Sequence, residues 1–160
     1  MTIKIGDRIP SATLRHMTGD GMAELSTDDL FSGKRVAVFG LPGAFTRTCS
    51  AKHLPGFVAN ADALTAKGVD AIACVSVNDA YVMAAWGRDQ KVGDSVMMLA
   101  DGAAELTRAL GLDIDLSERG FGVRSRRYSM VVDDGVVTVL HVEDGTGLSV
   151  SGAETLLGDL

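Results

Sequence analysis

The sequence predicts an α/β fold in which helices flank a central mixed sheet and an N-terminal hairpin extends it. Three observations carry this expectation. Short apolar, β-branched runs alternate with segments of helical spacing along the middle of the chain, the pattern of parallel strands joined by right-handed crossovers. Two apolar runs flank Asp133-Asp134-Gly135, a strong antiparallel hairpin signal. The chain has 160 residues, 46% hydrophobic and 22% charged, enough to build one core without metal or disulfide staples.

The elements follow in order. Residues 12–17 and 22–25, separated by Thr18-Gly-Asp-Gly21, read as a hairpin. Ser26 or Thr27 caps a short helix through Leu30 that Gly33 stops. Arg35-Val-Ala-Val-Phe-Gly40 is suited to a strand buried on both faces. After a loop over 41–48, Leu54, Phe57, Val58, Ala61, Leu64 and Ala66 keep helical spacing, with Pro55 expected to kink that helix near its second turn. Residues 71–77 form a second buried strand; Asn78 or Asp79 caps a helix to about Gln90, and Val96–Ala100 is a third strand. A helix over 104–110, the hairpin 128–132/136–142, and a C-terminal helix opened by the capping box Ser151-Gly-Ala-Glu154 complete the chain. This order is the pattern of a thioredoxin-like fold, and the absence of repeats or linkers predicts a single domain over residues 1–160.

Composition narrows the function. The formal charge is −6, with 15 Lys+Arg against 21 Asp+Glu, and the longest basic cluster, Arg124-Ser125-Arg126-Arg127, is too short for a nucleic-acid footprint. No apolar run of about 18 residues predicts a transmembrane helix, and the charged N-terminus lacks a signal-peptide core. A soluble cytoplasmic protein is expected. Two cysteines are not a disulfide framework, and in a reducing compartment a bridge between them is more often transient and catalytic.

Cys49 follows a buried strand and loop at the start of a helix. Helix N-termini can lower a thiol pKa from about 8.5 to roughly 3.5–7.5, which populates the nucleophilic thiolate. The residues before it, Pro42-Gly-Ala-Phe-Thr46-Arg-Thr-Cys49, read P-x-x-x-T-x-x-C, with a hydroxyl three positions before the sulfur and a rigid residue at the loop entrance. C-x-x-C or C-x-x-S chemistry fails, because Ser-Ala-Lys52 follows Cys49. A Cys hydrolase lacks its G-x-C-x-G elbow, and a zinc site pairing Cys49 with His53 lacks two further ligands. His16, His53 and His141 therefore read as surface or satisfied core residues.

With these motifs in hand, the chain resembles the peroxiredoxins, most closely their type II (peroxiredoxin-5-like) subfamily. The resemblance spans Gly6-Asp-Arg-Ile-Pro10, the Pro42–Ser50 motif, His53-Leu-Pro-Gly-Phe57, Val75-Ser-Val-Asn-Asp79, Arg127-Tyr-Ser-Met-Val-Val132 and Gly147-Leu-Ser-Val-Ser151. It implies a thiol-dependent peroxidase that reduces hydrogen peroxide and small organic hydroperoxides without metal, haem or flavin. Cys49 is then the peroxidatic nucleophile that becomes a sulfenic acid, Thr46 a hydroxyl partner of the peroxide, Pro42 a shield and Arg127 the cationic support. Arg124 and Arg126 compete for that last role.

The resemblance implies a resolving role for Cys74, yet this residue sits mid-strand, where a structural cysteine is the default. A bridge to Cys49 needs Cα atoms about 4.4–6.8 Å apart, so the turn at Cys49 would have to unwind. The alternative is reduction from outside by glutathione with glutaredoxin, or by thioredoxin. Arg47, where many relatives carry Pro, is either a source of positive potential or a solvated loop residue. The resemblance also implies a homodimer, with loop 41–45 and Tyr81 as an exposed apolar surface. A peroxide sensor or redox relay would share the same cysteine chemistry.

Overall fold

The computed structural model describes residues 2–160. Its hairpin extension is β1 (Thr13–Thr18) and β2 (Gly21–Ser26), followed by α1 (Thr27–Phe31), whose N-cap Ser26 accepts from the Asp29 N–H. Then come β3 (Arg35–Leu41), a wide turn at Cys49–His53, α2 (Leu54–Ala59), α3 (Ala61–Ala66), β4 (Ala71–Ser76), α4 (Ala80–Asp89), β5 (Met97–Ala100) and α5 (Glu105–Ala109). The chain closes with β6 (Asp113–Asp115), β7 (Val123–Ser125), β8 (Tyr128–Asp133), β9 (Val136–Val142) and α6 (Ala153–Gly158). No helix among the described residues is long and apolar enough to cross a membrane.

Seven strands form one sheet in the order β2-β1-β5-β4-β3-β8-β9. The centre, β5-β4-β3, is parallel, and β8, β9 and the first hairpin pair antiparallel at its flanks. This is the mixed sheet expected of a thioredoxin-like fold. Alternation along β3 divides the core: Ala37, Phe39 and Leu41 join Leu54, Phe57, Leu64, Met83, Trp86 and Leu156 on one face. Val36 and Val38 join Leu30, Phe31, Leu106, Leu110 and Tyr128 on the other. The Asp134-Gly135 turn has φ of 47° and 84°, the left-handed pair that a two-residue hairpin turn requires.

Four details depart from the sequence expectation. The helix after the Cys49 loop is not continuous: its first turn is a π-turn in which the Leu54 N–H reaches the Cys49 carbonyl, five residues back. Pro55 explains this, because its ring would collide with the carbonyl four residues earlier and it has no N–H to donate there. It therefore sits in the first turn of α2, and Asn60 separates α2 from α3. Second, Ser151 caps nothing. The N-cap of α6 is Gly152, and the Ser151 hydroxyl donates to Glu143. Third, Leu41, Pro42, Gly43 and Ala44 are buried, leaving Phe45 as the exposed apolar residue of that loop. Fourth, the two-stranded β6–β7 ribbon had no pattern strong enough to predict it.

Candidate functional site

The site forms where β3 ends. Beyond Leu41 the chain turns through Pro42–Thr46, held at both sides. Asn78, just past β4, accepts the Ala44 N–H (3.0 Å) and the Ser76 hydroxyl (2.7 Å) on its side-chain oxygen. Arg124 donates to the Pro42 carbonyl (3.2 Å) from the far side. A Cβ at Gly43 would lie 2.5 Å from that guanidinium nitrogen, so glycine is what lets the arginine close over the loop. Thr46 then starts the helix: its carbonyl accepts the Ser50 N–H (2.9 Å), and its hydroxyl donates to the Gly43 carbonyl (2.7 Å). The hydroxyl proton is thus committed, which leaves Oγ1 as an acceptor.

Cys49 lies in the following turn with no solvent exposure. Arg127, the residue before β8 and only 2% exposed, reaches it from the strand next to β3. Nη2 donates to Cys49 Sγ (3.2 Å), Nη1 to His53 Nδ1 (2.9 Å) and Nε to the Thr146 carbonyl (3.1 Å). The guanidinium therefore occupies the place between Cys49 and His53. Its neighbours do other work: Arg126 donates to the Glu143 carbonyl (3.0 Å), while Arg124 holds the Pro42 loop and lies over the Phe121 ring.

His53 completes the arrangement. It is buried against Phe39 and Phe57, and with Nδ1 accepting from Arg127, its Nε2–H donates to the Ser151 carbonyl (3.0 Å). Burial and the adjacent Arg127 charge push its pKa down to about 3, so the ring is neutral near pH 7. Glu143 holds the segment that carries Ser151. Burial alone would raise its carboxyl, but hydrogen bonds from Ser149, Val150 and Ser151 bring it down to about 2.

A buried thiol and a buried guanidinium in contact, behind a P-x-x-x-T-x-x-C loop, can be compared with known proteins. The redoxin family model matches residues 4–157. Peroxiredoxin-2E-2, chloroplastic, of Oryza sativa subsp. japonica is 53% identical, the match covering 98% of this chain and 72% of that one. Peroxiredoxin-2B of Arabidopsis thaliana is 47% identical, covering 97% and 96%. The crystal structure of reduced Prx3 in complex with hydrogen peroxide from Vibrio vulnificus superposes with a TM-score of 0.95 at 51% identity, covering 99% of both chains. The chain belongs to the peroxiredoxins.

It is of their type II branch, and its activity is thiol-dependent reduction of peroxides by a peroxidatic cysteine. The remaining sequence candidates of this peroxiredoxin, Cys74 and Arg47, make no hydrogen bond to the Cys49 sulfur. Cys74 sits in the middle of β4, paired with Phe39 on one side and Met98 on the other. It is free and buried; desolvation, and then the neighbouring Cys49, push its thiol well up. Arg47 is exposed on the loop. Sequence reasoning missed two residues of the site, His53 and Glu143. His53 stands four positions after Cys49, on the same side of a helix, whereas nothing local distinguishes Glu143 from any other strand-end carboxylate.

Proposed function

We propose that Cys49 is the peroxidatic nucleophile of this peroxidase, and the observation that carries the reading is the 3.2 Å contact from Arg127 Nη2 to its sulfur. The thiolate is the reactive form, and a permanently charged, planar guanidinium in a buried setting favours the anionic sulfur and fixes its direction. The sulfur attacks one peroxide oxygen, the O–O bond breaks, and the second oxygen leaves as water or an alcohol after taking a proton. Cys49 becomes a sulfenic acid. Thr46 Oγ1 accepts the O–H of the incoming peroxide, and Pro42 shields the sulfur from solvent. Hydrogen peroxide and small organic hydroperoxides are the substrates.

The sulfenic acid is reduced from outside, by glutathione with glutaredoxin or by thioredoxin, in a reducing compartment such as the cytoplasm. Support for this comes from Cys74, whose strand is hydrogen-bonded on both sides. The active form is a homodimer that covers Phe45 of the Cys49 loop and Tyr81 of α4, 53% and 64% exposed. Intact-mass analysis after one equivalent of hydrogen peroxide, then glutathione, tests the reading. Wild type and Cys74→Ser should both gain one oxygen and then exchange it for a glutathionyl group with loss of water, and Cys49→Ser should do neither. A wild-type product lighter by two hydrogens, missing in Cys74→Ser, would make Cys74 the resolving thiol. Slow oxidation of wild type would remove Cys49 from its role.

A further inference from the structure

Glu143 is 3% exposed and its carboxylate touches no cation among the described residues. Instead it collects five donors from one short stretch of chain. Oε2 accepts the backbone N–H groups of Ser149 (2.9 Å), Val150 (2.8 Å) and Ser151 (2.8 Å) together with the Ser151 hydroxyl (2.7 Å), and Oε1 accepts the Ser149 hydroxyl (2.7 Å). Its own backbone is fixed as well, because its N–H donates to the Arg127 carbonyl (2.9 Å) and its carbonyl accepts from Arg126 (3.0 Å). The segment it closes, 144–151, is mostly exposed and contains Gly145 and Gly147, a composition that by itself leaves a loop mobile.

That loop supplies two of the carbonyls on which the site depends. Thr146 O accepts from Arg127 Nε (3.1 Å), and Ser151 O accepts from His53 Nε2 (3.0 Å), whose other nitrogen accepts from Arg127 Nη1 (2.9 Å). Two of the three Arg127 nitrogens are therefore oriented, directly or through one imidazole, by a loop that Glu143 holds. The third points at Cys49.

We propose that Glu143 is a positioning residue for peroxide reduction: its carboxylate clamps the loop 144–151 so that the Thr146 and Ser151 carbonyls aim Arg127 at the Cys49 sulfur. The inference rests on the reading of Cys49 and Arg127 given above. An ionised carboxylate suits the task because it accepts from several donors at once without offering a proton of its own. Aspartate would not serve, since the backbone is pinned at both ends and the shorter side chain falls short of the loop.

The test is a stopped-flow measurement of Cys49 oxidation by hydrogen peroxide, with the pH dependence of Cys49 alkylation by iodoacetamide as second readout, both in a Cys74→Ser background. Glu143→Gln keeps the shape and lowers the acceptor strength. It should remain folded by circular dichroism, oxidise at least about tenfold more slowly, and need a higher pH to alkylate, because a loosened guanidinium supports the thiolate less well. A folded Glu143→Gln within twofold of the parent and with an unchanged alkylation profile overturns the clamp. Should that variant fail to fold, the double variant Ser149→Ala/Ser151→Ala, which removes the hydroxyl donors only, decides by the same readouts with an expected loss of about threefold. Arg127→Ala, measured in parallel, separates the two readings. If it is slow and the clamp variants are not, the clamp alone falls; if it oxidises at the parent rate, the site reading falls and takes the clamp with it. Adding Glu143→Gln to Arg127→Ala should cost nothing further, since the carboxylate acts through the arginine.

Discussion

His53 Nδ1 lies 2.9 Å from Arg127 Nη1, a distance at which the ring can only accept. The imidazole is thereby locked in the tautomer that carries its proton on Nε2, pointing at the Ser151 carbonyl. A second proton would place an imidazolium against a guanidinium in the core. The same contact that aims Arg127 thus makes the fold sensitive to acid.

Stability should fall with pH in two stages. The folded-state pKa of His53 is depressed from 6.5 to about 3, and that of Glu143 from 4.5 to about 2. In both cases the unfolded chain takes up its proton first, so stability is complete above the unfolded value and is lost as pH drops towards the folded one. The His53 contribution declines below about pH 6.5 at up to about 1.4 kcal/mol per pH unit, and that of Glu143 joins it below 4.5. Urea denaturation at pH 7.5 and pH 5 should differ by about 2 kcal/mol in wild type, and by much less in His53→Gln. An equal difference in both proteins would show that His53 is not the group responsible.

Removing either polar partner of the reaction should slow peroxide attack while leaving the fold intact. Arg127→Ala deletes the charge against the sulfur, a loss comparable to removing a preorganised donor, about 2.7–4 kcal/mol or two to three decades in rate. Thr46→Val deletes the acceptor of the peroxide O–H and the bond to Gly43, on the order of 1.5–3 kcal/mol. Single-turnover oxidation kinetics measure both, and a variant that reacts at the wild-type rate loses its assigned part.

Gly40→Ala should be severely destabilising. A Cβ there would stand 2.1 Å from Cε1 of Tyr128, which is its partner across the β3–β8 ladder and fully buried. Neither strand can withdraw, because β3 is hydrogen-bonded on both edges. A cost of about 3 kcal/mol or more follows from overpacking, and a denaturation midpoint near that of wild type would contradict it.

The single tryptophan should report oxidation. Trp86 is buried on α4 and its indole N–H donates to the hydroxyl of Ser50 (3.0 Å), the residue after Cys49. If the turn rearranges when the sulfur is oxidised, that bond changes and so does the emission. Peroxide should shift wild-type fluorescence and leave Cys49→Ser silent. A silent wild type would mean that the turn stays closed through the first step.

What the sequence made legible divides by range. Strands β3, β4, β8 and β9 and the hairpin turn at Asp134-Gly135 depend on neighbours a few residues away, and pattern alone located them; the caps were narrowed to Ser26 or Thr27 and Asn78 or Asp79, of which Ser26 and Asp79 cap. The loop Pro42–Cys49 was legible for the same reason. The choice of Arg127 over Arg124 and Arg126 came from resemblance, because which of three close arginines faces a sulfur 78 positions away is a property of the sheet. Ser151 shows the limit most clearly. Ser-x-x-Glu satisfies a local capping rule, yet the hydroxyl is drawn to Glu143, which offers an ionised acceptor inside the core. The π-turn was hidden likewise: Pro55 announced a disturbance but not that the turn before it would widen.

The groups around the Cys49 sulfur have a shared history in time as well as in space. Arg127, Glu143, Thr146 and Ser151 all lie far to its C-terminal side, and synthesis proceeds from the other end. The nucleophile therefore leaves the ribosome long before its arginine, and the arginine before the loop that aims it. If Cys49 and Arg127 act as proposed, an incomplete chain carries a cysteine without its guanidinium and reacts slowly with peroxide. The sulfur is made early and armed late, and fast oxidation would then report that the last third of the polypeptide has found its place.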